Sequence, residues 1–211
     1  MGARAEPVRR SPEREWWLRA LAAPFAPRAV FAALRDDSDE AAAARHEPVL
    51  ALAYLAGIAI VLASPASGQL SGDGVVVAAW TLLAGAIYGA GVLFAGGLLL
   101  HLAARRLGSR GSYRRARHVL AFALAPLVLS LALWPVRLAL YGGDLFRAGG
   151  SDHGTGTLVL HLVDLGFALW AVGVLVAGVR AVHGWSVGRS AAAVALAVLL
   201  LPVLVVVAWL L

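Results

Sequence analysis

Residues 158–179 read LVLHLVDLGFALWAVGVLVAGV. Apart from His161 and Asp164, every residue in the stretch is apolar or glycine. About 20 such residues span the ~30 Å hydrocarbon core of a bilayer as a helix. A helix is also the open-chain form that pairs all its own backbone groups away from water. Asp164 costs about 2.5–3.5 kcal/mol at mid-membrane, while more than ten Leu, Val and Phe residues each return about 0.3–0.6 kcal/mol. The stretch therefore reads as a transmembrane helix despite its carboxylate.

Four further apolar blocks surround it. The first runs from Val49 to about Ala66, and the second from Val75 to about Leu102. The second exceeds one crossing and is expected to tilt or to project into the cytoplasm. The third is clear from Val119 to Trp134; Pro135 and Arg137 then precede a last apolar Leu138–Tyr141. The final block runs from Ala191 to Leu211. Hydrophobic residues make up 61% of the 211, against about 45–50% in soluble domains. The fold class is thus an all-α polytopic membrane protein, a bundle of five transmembrane helices over residues 48–211, with an N-terminal cytoplasmic arm over residues 1–47.

All 18 basic residues are arginine, which with the Ala- and Gly-rich composition points to a GC-rich, bacterial genome. Eight precede the first block (Arg4, Arg9, Arg10, Arg14, Arg19, Arg28, Arg35, Arg45), six lie in the second loop (Arg105, Arg106, Arg110, Arg114, Arg115, Arg117), and Arg180 and Arg189 flank the fourth. On the other side stand only Arg137 and Arg147. Arginine-rich loops stay cytoplasmic. This places the N-terminus inside and the C-terminus outside, in a cell (plasma) membrane. Net charge +6 is accounted for by these flanks, so nucleic acid is not an expected partner; the lipid bilayer is.

The arm has its own pattern. Ser11-Pro12-Glu13 reads as a helix start, followed by Trp16, Trp17, Leu18 and Leu21. A second short helix, Pro27 to Leu34, presents Val30, Phe31 and Leu34 on one face. An acidic patch, Asp36, Asp37, Asp39 and Glu40, comes next. The two helices read as amphipathic pieces on the membrane surface.

The candidate intramembrane polar site is His161, Asp164 and Arg137. His161 and Asp164 share a helix face at i, i+3, and Arg137 near the outer end of the third block can reach Asp164. A structural Arg137–Asp164 ion pair is one reading; a proton or cation relay through His161 and Asp164, as in a small transporter or channel, is the other. No hydrolase, metalloprotease or phosphate-loop motif is present, so neither a catalytic site nor a cofactor is expected. His101 and His118 read as interfacial residues rather than metal ligands, because zinc wants three or four converging ligands. With no cysteine, disulfides and thiolate sites are excluded. Gly85 and Gly89 form a small-xxx-small pair suited to helix packing, within the chain or in a homo-oligomer or a complex with other membrane proteins. Trp134 and Trp185 fall at expected interfaces, whereas Trp170, near mid-helix, is expected in a helix contact.

The order of these features resembles the Yip1 domain family, in its bacterial branch. The resemblance rests on the arm segment PRAVFAAL (27–34), the stretch GSYRRARHVLAFALAP (111–126) leading into a proline-containing third helix, and the Trp185–Ser190 turn into a last apolar helix. It covers about Pro24 to Leu211. It implies an all-helical bundle without known catalytic activity and a role in organising membranes or traffic. Eukaryotic members bind small GTPases, but the Asp-Leu-Tyr-Gly-Pro stretch typical of that branch is not in this sequence, which argues against such binding here.

Overall fold

Prolines, glycines and capping side chains divide the chain into helices. A computed structural model describes residues 12–64, 67, 68, 70, 73–147 and 154–210, for Pro12 and residues 202–210 the backbone alone; Arg4, Arg9, Arg10 and Ser11 lie outside the described residues. The arm contains α1 (Pro12–Ala22), α2 (Pro27–Ala33) and α3 (Asp39–Ala44). The first span is α4 (His46–Ala63). The second is α5 (Gly74–Gly91), a π turn (Val92–Gly96) and α6 (Gly97–Arg106). The third comprises α7 (Tyr113–Ala123), α8 (Ala125–Ser130) and α9 (Trp134–Tyr141), with 3₁₀ turns at Leu131–Leu133 and Gly142–Phe146. Then come α10 (Thr155–His183) and α11 (Val187–Leu210). Among the described residues there is no strand, four spans are long and apolar enough to cross a membrane, and Val187–Leu201 of α11 adds a shorter apolar helix.

The third span starts earlier than its apolar run. Ser112 caps α7, its side chain accepting from the Arg115 N–H at 3.0 Å, so Arg114, Arg115 and Arg117 stand on a helix rather than in a flexible loop. Residues 118–126 are buried throughout. They form the central post, which α4, α6 and α10 touch, and this explains why HVLAFALAP carries no lipid-facing pattern. Pro126 brings no N–H to the ladder, and the helix divides at Leu124.

The first two spans meet backbone to backbone. A Cβ on Gly57 would overlap the Gly85 carbonyl oxygen and lie 2.5 Å from the Gly89 nitrogen; one on Gly89 would lie 2.5 Å from the Ala53 carbonyl oxygen. Lipid is as apolar as leucine, so helices associate in it through such close packing. Gly85 and Gly89 therefore serve a contact inside the chain, with Gly57 as the third member.

The arm folds onto the bundle. Trp16, Val30, Phe31 and Leu34 are buried in one cluster with Phe122, Val179 and Val182. Phe31 is fully buried, and its ring carbons come within 2.8 Å of where a Cβ on Gly178 of α10 would be. Trp170 packs edge-on against Phe25 of the arm at 5.6 Å and lies against the buried cluster. Trp17, Leu18, Leu21 and Phe25 remain exposed, the outward half of an amphipathic surface.

Candidate functional site

Among the described residues, two groups of charged side chains reach into the apolar interior, one towards each end. At the end away from the arm, the 3₁₀ turn and Pro135 restart the helix as α9, which carries Arg137 against α10. Arg137 is 5% exposed. Its Nη2 lies 2.5 Å from Asp164 Oδ2 and donates to the Leu160 carbonyl oxygen at 3.2 Å. The guanidinium carbon sits 5.1 Å from the centre of the Trp134 ring, and Arg137 Nε has no hydrogen-bond partner among the described residues. Asp164 lies nine residues into α10, about 13 Å along its axis. His161 is exposed on the outside of the bundle and takes no part in these bonds. Three residues leave about 60° of helix rotation between neighbours, enough to turn His161 outward while Asp164 turns towards Arg137. The structure therefore joins Arg137 to Asp164 and separates His161 from them.

The second group clamps the arm to the end of the bundle. Arg45, immediately before α4, is fully buried. Its Nε donates to His118 Nδ1 at 2.7 Å, its Nη1 to the Asp36 carbonyl oxygen at 2.8 Å, and its Nη2 to Asp37 Oδ1 at 3.4 Å. Because His118 accepts at Nδ1, its ring is neutral with the proton on Nε2. Asp37 is the hub. It also receives Arg114 Nε at 3.2 Å and the Ser112 hydroxyl, and Arg115 Nε stands 3.8 Å away. Arg114 Nη1 bonds Asp39 Oδ1 at 2.6 Å. Burial alone pushes the Asp37 carboxyl up, but the Ser112 hydroxyl and the Arg115 and Arg114 guanidiniums outweigh it and hold the carboxyl below its ordinary value. Arg35 adds a bond from Nε to the Ala181 carbonyl oxygen at 2.8 Å, and Arg115 Nη2 returns one to the Arg35 carbonyl oxygen at 3.0 Å.

Sequence reasoning places His118 at an interface; the structure buries it beneath Arg45. The acidic patch and the basic loop are legible separately, and their opposite charges are the one signal that they meet. His101 stands apart, its ring 6.0 Å from that of Tyr113. Among the described residues, no three His, Asp or Glu side chains converge as metal ligands.

Three sites of the chain thus gather at one end: the arm, the α6–α7 turn and the α10–α11 turn, where Arg189 Nε donates to the Leu107 carbonyl oxygen at 3.2 Å. Residues 21–210 match the family model of the Yip1 domain. No curated protein and no solved structure matches the chain.

Proposed function

The chain belongs to the Yip1 domain family, and from that premise we propose that it is a non-enzymatic membrane scaffold, organising other membrane components in a trafficking-type role. In this reading it sits in the cell membrane with its N-terminus and the arginine-rich end cytoplasmic. The observation that carries the proposal is the clamp around Asp37 and Arg45. It holds the arm on the helices, so that Trp17, Leu18, Leu21 and Phe25 are displayed at a set position beside the membrane. A rigid display surface is what a protein that gathers partners or lipids requires. The Arg137–Asp164 pair fits the same reading, since each charge is the other's counter-ion and ties α9 to α10.

The competing reading is transport through the polar face of α10. Flux measured in proteoliposomes, with wild type beside Asp164→Asn, separates the two. The scaffold reading expects no solute-specific flux above protein-free vesicles from either protein, and recovery of a stable partner from native membranes. A flux carried by wild type and lost in Asp164→Asn would defeat it.

A further inference from the structure

An open groove of about 580 Å³ lies between α2, the last third of α10 and the turn into α11. Arg28, Arg35 and Arg180 face it together with Trp185, and among the described residues no carboxylate does. Arg35 is held in place through its Nε on the Ala181 carbonyl oxygen, which leaves its terminal nitrogens for the groove. Arg28 and Arg180 are exposed, and neither takes part in an ion pair or hydrogen bond among the described residues. This contrasts with Arg45, Arg114 and Arg115 next door, each of which has an Asp37 oxygen within 4 Å. Three guanidiniums line one groove with no counter-ion among the described residues.

The floor of the groove is Gly173 and Ala177. One and two turns towards the membrane centre, the same side of α10 exposes Val172, Leu169 and Leu165. The groove therefore runs from a cationic mouth at the helix end into an apolar stripe that faces lipid. An anionic headgroup above acyl chains has that profile. Guanidinium forks match phosphate oxygens, and basic pockets between transmembrane helices at a membrane surface are suited to anionic lipid headgroups.

We propose that this groove is a discrete binding site for one anionic phospholipid, its phosphodiester held by Arg28, Arg35 and Arg180 and its acyl chains laid along the Leu169–Val172 stripe. The site would join α2 to α10 from outside, where the Phe31–Gly178 contact joins them from within.

The test is native mass spectrometry of the full chain from mixed micelles containing phosphatidylglycerol and phosphatidylcholine. Wild type should retain one phosphatidylglycerol at concentrations where phosphatidylcholine washes off. Arg28→Gln/Arg180→Gln should weaken that binding about 25-fold, at roughly fivefold per guanidinium near the membrane surface. Gly173→Phe keeps every charge but fills the groove, because a Cβ there meets nothing within 4 Å; it should lose the bound lipid to a similar extent. Arg106→Gln/Arg110→Gln removes the same charge from exposed positions outside the groove and should leave binding unchanged. Equal losses in this control pair would show diffuse attraction to the basic end and overturn the site, as would full binding in Gly173→Phe. Competition by free glycerol phosphate at the affinity of the intact lipid would show a phosphate site instead, and would also overturn the proposal.

Discussion

Gly57→Ala is the most demanding test of how the spans are held. The added Cβ would overlap the Gly85 carbonyl oxygen and stand 2.8 Å from Gly89 Cα. Carbon atoms rest about 3.5–4.0 Å apart, so α4 and α5 must part by roughly 1 Å along their shared face. A gap of about 0.5–1 Å forfeits a quarter to a half of each contact's dispersion energy. No side chain can swing aside, because the atoms in the way belong to backbone. Overpacking of this kind costs about 1–3 kcal/mol, and lipid returns nothing when the helices separate. Gly91→Ala is the internal control: it lies in the same pair of helices, its Cβ meets nothing within 4 Å, and helix propensity alone favours it by up to about 1 kcal/mol. Thermal unfolding in detergent, followed by circular dichroism, should show Gly57→Ala melting several degrees lower and Gly91→Ala unchanged or slightly higher. At about 2–4 °C per kcal/mol for a chain of this size, the separation is measurable. Equal melting of the two variants would refute the claim that backbone contact holds α4 to α5.

Protonating Asp37 should release the arm. Its folded-state pKa is depressed, so the stability it supplies is present above the unfolded value of about 3.9 and lost as pH falls through the lower folded value. Hydrogen exchange of residues 27–45 should stay slow at pH 5 and quicken below about pH 4, whereas Asp37→Asn should exchange quickly at both. At the other end, Arg137→Gln or Asp164→Asn alone strands a charge in the membrane and should destabilise by about 3–5 kcal/mol. The double change Arg137→Met/Asp164→Leu removes both charges and should recover most of that in detergent melting; additive losses would refute the pairing.

The five spans were legible because hydrocarbon imposes a length and a polarity that can be read residue by residue. Asp164 and Arg137 were legible for a related reason, since an intramembrane charge needs a partner and few are on offer. The clamp was not. Asp37 and Arg114 are 77 residues apart, and each looks like ordinary surface charge until the arm folds back. Phe31 showed that the arm has an apolar face, but only its seat on Gly178 shows where that face goes. His118 illustrates the same limit: its neighbours in sequence put it near an interface, and its neighbour in space, Arg45, makes it a buried acceptor.

The arm's anchors also impose an order on biogenesis. Residues 27–45 leave the ribosome before any span, yet Ser112, Arg114 and His118 belong to the third span and Gly178 and the Ala181 carbonyl to the fourth. Until α10 has been threaded into the bilayer, Phe31 has no seat and Arg35 no acceptor. A nascent chain stopped after residue 147 would hold the salt links but lack the floor beneath them, so closure of this protein is completed from its C-terminal half.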